Sequence, residues 1–290
     1  MTLKGFGFII ISALFHVLWN SVLKTCKDKT SAIFWMMCVT VAGLGVFIGQ
    51  FHAKTFFFVP SVMYTALAAG FFFFLYQYFV AVSLEKGDLT LVYPLTVTGP
   101  VYIVFWSYFF LNESISPAGA AGILLIIYGA VSIQRGKFSI RPQFKKNSNT
   151  TNTGVLTALA ASFFYSFGAV ADKLGVMTGD IFVYTFHLSF YMLIFHLVRV
   201  LWQSQTRRVI SEIKHNPKSI LLGGIIMLLS FITFRLGLEE AQASYASALR
   251  QVSTLFGICI GFLFFRERVG LNRILSSILI VAGAILIKIG

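Results

Sequence analysis

The residue with the clearest chemical potential is Arg250, set inside the apolar stretch Glu239–Glu267, EEAQASYASALRQVSTLFGICIGFLFFRE. A guanidinium at bilayer depth is costly unless it faces a wet cavity or a partner, so an arginine in such a run marks a functional site by default. Its neighbours at helical spacing are small or polar: Ala243, Ala246, Ser247, Ser253, Thr254, Gly257 and Gly261. Such a face admits close helix approach and leaves room at the charge. The planar fork of the side chain suits a carboxylate, a phosphonate or a similar anion. The competing reading is that Arg250 snorkels, because it lies about two turns from the start of its helix.

Candidate companions lie on other apolar runs. Ser12, His16 and Asn20 recur every four residues, with Trp19 beside them. Tyr93 and Thr96 stand in VYPLTVTGP, where Pro94 and Pro100 remove backbone donors and kink or break a helix. Gln77 follows Phe73 and Gly70, Tyr165 shares a side with Ser162 and Ser166, and His187 is one turn from Tyr191. Each alone is better explained by a bond to a neighbouring helix, worth about 1 kcal/mol. Together they predict an aromatic, sparsely charged lining that holds a small amphipathic solute at Arg250. The expected binding set is Arg250, Tyr93, Thr96, His16, Trp19, Asn20, Gln77, Ser247, Tyr165 and His187.

Other chemistries find little support. No G-x-S-x-G, H-E-x-x-H or phosphate loop is present, and His16, His52, His187, His196 and His215 lack metal-ligand spacing. Neither catalysis nor a metal or other cofactor is expected. Cys26, Cys38 and Cys259 are scattered and read as small hydrophobes. The acidic residues, Asp172 and Glu113 among them, fall at run ends or in connecting segments, which disfavours a mid-membrane carboxylate as proton carrier and leaves His16 as the alternative. Glu113 and Glu267 are expected to satisfy the start of the helix that follows each of them.

Positioning these residues is the task of a membrane-embedded chain. With 57% hydrophobic and 11% charged residues over 290 and a mean hydropathy of +0.83, the sequence demands spanning helices. Ten spans are predicted, at about 5–23, 31–50, 61–84, 89–111, 116–134, 154–173, 181–202, 219–238, 244–265 and 271–289. The net charge of +13 sits between the spans, where it sets orientation and meets lipid headgroups, so nucleic acid is not an expected partner. The polar stretch 135–153 reads as a linker between one unit of five spans, 1–134, and another, 154–290. Shifting the sequence by 154 residues lays Glu113 on Glu267, Gly129-Ala130 on Gly283-Ala284 and Gly70 on Gly224. A repeat with an odd number of spans inserts upside down relative to its copy. Inverted repeats with a midplane site are the hallmark of secondary transporters.

The run GDLTLVYPL at 87–95 and the ends Asn112-Glu113 and Arg266-Glu267, on a ten-span, two-copy plan, resemble the EamA type of the drug/metabolite transporter superfamily. More narrowly, FHVLWNSVLK at 15–24 and ALRQVSTLF at 248–256 are similar to a subgroup with H-x-x-W-N and A-L-R-E-x-S, some of whose members are associated with phosphonate use. Gln251 departs from the glutamate of that pattern. The resemblance implies movement of amino acids, metabolites or drugs through a central cavity, by a monomer or homodimer in the cytoplasmic (inner) membrane. Two further readings stay open, an exporter of aromatic or cationic drugs in which Arg250 pairs with the protein itself, and a flippase handling membrane lipids. Sixteen Lys and Arg fall in connections on the linker side against four on the other, which places the linker in the cytoplasm. The family resemblance implies the opposite orientation, with both termini in the cytoplasm.

Overall fold

A computed structural model of the chain describes residues 1–51, 58–86, 95, 98–135, 149–265 and 270–290. Among the described residues every regular element is a helix: α1 (Leu3–Thr25), α2 (Lys29–Phe51), α3 (Pro60–Lys86), α4 (Gly99–Leu111), α5 (Pro117–Arg135), α6 (Asn149–Thr178), α7 (Ile181–Trp202), α8 (Thr206–His215), α9 (Pro217–Glu239), α10 (Ala243–Arg250), α11 (Ser253–Phe265) and α12 (Leu271–Ile289). Eight segments are long and apolar enough to cross a bilayer, with α10 and most of α11 forming one of them. Gly99–Leu111 and Pro117–Ile133 are shorter apolar helices. The protein is therefore a multi-pass helical membrane protein. Apolar side chains such as Val46, Phe105, Leu124 and Ile278 lie outward on its exterior, as lipid contact requires.

Local signals explain where the helices begin. Asp180 accepts the backbone N–H groups of Phe182 (2.8 Å) and Val183 (3.0 Å) at the start of α7. Thr2 accepts from Gly5 N at the start of α1, and Asp28 from Thr30 and Ser31 at the start of α2. Proline opens α3, α5 and α9 and stands in the first turn of α4, where a missing N–H costs nothing. The α6 helix begins at Asn149, so its first residues lie inside the stretch 135–153 expected to be linker.

The packing joins the two halves of the chain rather than consolidating either one. The closest pairings are α3 with α6, α1 with α9, and α5 with α12; α3 with α7 and α2 with α9 come next. Exchanging α1, α2, α3 and α5 with α6, α7, α9 and α12 maps this set of pairings onto itself. The 154-residue shift carries Gly99–Leu111 onto Ser253–Phe265 and Pro117–Arg135 onto Leu271–Ile289, end for end. At the α5–α12 crossing, a Cβ on Gly122 would stand 2.7 Å from the carbonyl oxygen of Gly283, and one on Gly283 would stand 2.6 Å from that of Gly122. Only glycine at both positions permits that approach.

Candidate functional site

Arg250 ends α10, and α11 starts at Ser253. A continuous helix was expected over 244–265; the structure instead interrupts it directly after the arginine. Across the interruption the backbone tightens to three-residue bonds, Gln251 N to Ala248 O, Val252 N to Leu249 O and Thr254 N to Gln251 O, and the Thr254 hydroxyl also donates to Gln251 O. The corresponding place in the first half has the same character. There Thr98 donates to Leu95 O through both its N–H (3.3 Å) and its hydroxyl (2.8 Å), and Ser162 on α6 donates to the same oxygen at 2.6 Å. Thr98 stands just outside the start of α4, and the Leu95 carbonyl is satisfied from α6; Pro94, where a kink or break was expected, lies outside the described residues.

The start of α10 is fixed from the other half of the chain. α4 ends at Asn112, whose φ of 52° is the left-handed conformation asparagine tolerates, with Glu113 N bonded back to Ser107 O. This reversal aims the Glu113 carboxylate at α10, where it accepts from Ala243 N (2.7 Å) and the Ser244 hydroxyl (3.3 Å). Ser107 and Ser244 join their hydroxyls at 2.7 Å beside it. Glu113 does satisfy a helix start, as expected of an acid near the positive dipole end, but the helix is α10 and not the following α5. Glu267 lies outside the described residues.

Around Arg250 the structure gathers a group from four helices. Its Nη2 lies 3.3 Å from His16 Nδ1 on α1, and its guanidinium stacks over the Phe234 ring of α9 with 4.3 Å to the centroid. One turn on, Asn20 Nδ2 donates to His16 O at 2.7 Å, and Trp19 meets the His16 ring edge to face at 5.4 Å. Trp19 Nε1 is buried and has no hydrogen-bond partner among the described residues. Ser247, one turn before Arg250, faces Tyr165 of α6 with 3.4 Å between hydroxyls, and Tyr165 in turn packs on Phe73 and Tyr76 of α3. Arg250, His16, Trp19, Asn20, Ser247 and Tyr165 therefore form one connected group. Among the described residues no carboxylate pairs with Arg250.

Other predicted residues take different places. Gln77 on α3 bonds His196 of α7 at 2.8 Å, and His187 is buried on α7 against Tyr191, with ring centroids 6.2 Å apart. Tyr93 and Thr96 lie outside the described residues. Ser12 and Ser166, grouped by helical face with the lining, are fully buried and satisfied: Ser12 exchanges bonds with Ser230 of α9, and Ser166 donates to Phe163 O. Ser12 fastens α1 to α9, whereas Ser166 is satisfied within α6.

A second arginine within the spans, this one buried, escaped the sequence reading. Arg235 on α9 is 4% exposed and pairs with Asp172 on α6, 1% exposed, through Nε–Oδ1 at 2.9 Å and Nη2–Oδ2 at 3.4 Å. Its Nη1 donates to Phe231 O, and the Phe231 and Tyr184 rings cover its faces. Asp172 does not sit at a span end, because α6 continues to Thr178. Next to it, Lys173 turns its ammonium to the C-terminus of α9, donating to Leu238 O (2.8 Å) and Glu239 O (3.2 Å). The signal for the pair was present in FITFRLGLEE, where Arg235 interrupts an apolar run, but nothing in the spacing ties it to an aspartate 63 positions away.

The helical architecture of the described residues and their apolar exterior define a polytopic membrane protein. The chain belongs to the EamA-like transporter family, which matches it twice, over residues 3–134 and 152–289. That family is part of the drug/metabolite transporter superfamily. A protein of Methanothermobacter thermautotrophicus named as an uncharacterized transporter is 25% identical over 189 residues, covering 64% of this chain; the chain spans about half of that relative's length, 53%. A crystal structure of a protein superposes with a TM-score of 0.72 at 17% identity, over 99% of this chain and 96% of the other, a likeness of fold alone.

Proposed function

We propose that this protein is a secondary transporter that carries a small metabolite with a carboxylate, phosphonate or similar anionic group across the cytoplasmic membrane. Ten spans in two inverted units, 1–134 and 154–290, enclose the binding group and alternate its access between the two faces. The self-mapping helix pairings, the end-for-end match of α4 with α11 and of α5 with α12, and the double family match support the repeat.

One observation carries the choice of an anionic solute: Arg235 and Arg250 both lie within spans, and among the described residues only Arg235 has a carboxylate partner. Asp172 cancels Arg235, whereas Arg250 meets an imidazole and an aromatic face, neither of which supplies negative charge. A desolvated guanidinium of that kind is stabilised by an incoming anion through two parallel N–H bonds. The unpartnered Trp19 Nε1 offers a further donor nearby. Ser247 and Tyr165 supply hydroxyls for a second polar group, and Phe73 and Tyr76 give the site its apolar side.

A thermal-shift screen of the purified protein against carboxylates, amino acids and phosphonates tests this, because a ligand of the folded state raises apparent stability by mass action. An active compound is expected to bind Arg250→Ala and Arg250→Lys roughly 10- to 100-fold more weakly, the scale of a lost charge-assisted bond of about 1.5–3 kcal/mol. Both variants should still elute as folded protein, and uptake into vesicles should fall in parallel. Undiminished binding in Arg250→Ala would remove the anion site from the proposal.

A further inference from the structure

The short helix α8, Thr206–His215, crosses no membrane and is strongly two-faced. Its inner side is fastened to the bundle: Val209 O accepts from Trp35 Nε1 at 2.8 Å, and the buried Glu212 carboxylate accepts from Lys27 N, Asp28 N and Asn216 Nδ2. Glu212 is the only acid between Asp180 and Glu239, and it is spent on two backbone N–H groups and an asparagine amide. The outer side presents Arg207, Arg208 and Lys214, with Lys218 just beyond, all exposed and none with a side-chain partner among the described residues. Immediately before α8, Trp202 ends α7 with 88% of its surface exposed. Lysines on the opposite face are used differently: Lys4 pairs with Glu240 at 2.9 Å, Lys288 donates to Met1 O and Lys173 is buried.

From this arrangement we propose that α8 is a docking platform for anionic phospholipid headgroups, with Trp202 seated at the same interface. Its position fixes the occupant. α8 joins the ends of two spans, α7 and α9, so its outer face lies at headgroup level, where tryptophan concentrates and where uncompensated Lys and Arg attract anionic lipid. A soluble partner would have to displace those headgroups. The exposed apolar Ile210 on the same face completes an interfacial helix that lies on the membrane rather than through it. Because Glu212 grips the α1–α2 turn, lipid held on α8 is mechanically tied to the helix that carries His16. The proposal does not depend on what Arg250 binds.

Tryptophan quenching tests the assignment in the intact chain. The protein is reconstituted into phosphatidylcholine vesicles containing a minor fraction of brominated phosphatidylglycerol or, in parallel, the same fraction of brominated phosphatidylcholine. The Trp202 signal is taken as the difference from a W202F protein. Enrichment of the anionic lipid should make its quenching several-fold greater, and R207Q/R208Q/K214Q should lower the apparent affinity roughly tenfold or more, at about 1 kcal/mol for each basic residue. Ser211→Glu, which adds an opposing charge to the exposed face, should weaken it in the same sense, and added salt should erode it. Equal quenching by the two lipids in the native protein would overturn the proposal, and so would a preference that survives the triple substitution in folded protein.

Discussion

Replacing Asp172 with asparagine keeps its shape and removes its charge, which isolates the role of the buried pair. Arg235 would then hold a full positive charge at 4% exposure with only neutral company: the asparagine amide oxygen, Phe231 O and two aromatic faces. Removing one partner of a buried ion pair costs about 3–5 kcal/mol, because the remaining charge is left uncompensated. At roughly 2–4 °C per kcal/mol for a chain of this general size, the apparent melting temperature should fall by on the order of 10 °C. Arg235→Met should be costly too, since it strands the carboxylate. The double variant Asp172→Asn/Arg235→Met should recover much of the loss, as apolar replacement of a whole buried pair is often close to neutral. Melting of the detergent-purified single and double variants by intrinsic fluorescence gives the coupling directly. Additive effects, or a shift of only a degree or two for Asp172→Asn, would refute the view that the pair fastens α6 to α9 and holds Phe234 against Arg250.

Two further outcomes follow from the geometry. Glu113→Gln keeps an acceptor for Ala243 N but loses the charge and its favourable dipole interaction, so stability should drop by about 1–2 kcal/mol and Glu113→Ala by more, read in the same melting assay; unchanged melting for both would show that the start of α10 is held by other groups. A reporter active only in the cytoplasm, fused after Gly290, should stay silent if the basic connections face inward, and strong activity would reverse that orientation and leave the charge asymmetry unexplained.

Composition and apolar periodicity made the helical class and most span positions legible, because a bilayer allows an apolar stretch few other conformations. Arg250 was legible for the same reason, since a lone charge in such a run has few explanations. What escaped was cross-chain geometry. Asp172 looked like a span end because the run of apolar residues stops near it, yet helix continues through polar Asp172-Lys173 to Thr178, since both side chains find partners on α9. The interruption after Arg250 was hidden because Gln251 and Val252 are ordinary helix residues, and neither proline nor glycine announces it. The cap on α10 was misassigned to the next helix for want of any signal that Glu113 reaches 130 positions ahead.

The pairing of α1 with α9, α3 with α6 and α5 with α12 has a consequence for how the chain is made. Among the described residues the most extensive helix contacts of each half of the chain are with helices of the other half. During synthesis the first unit enters the membrane with the glycine face of α5 uncovered and the Glu113 carboxylate waiting for an amide that has not yet been translated. Long-range closure of this kind is slow and comes late. Maturation is then a single closing event near the end of translation, and a chain truncated within α12 loses the interface that α5 needs, even though all of α5 is present.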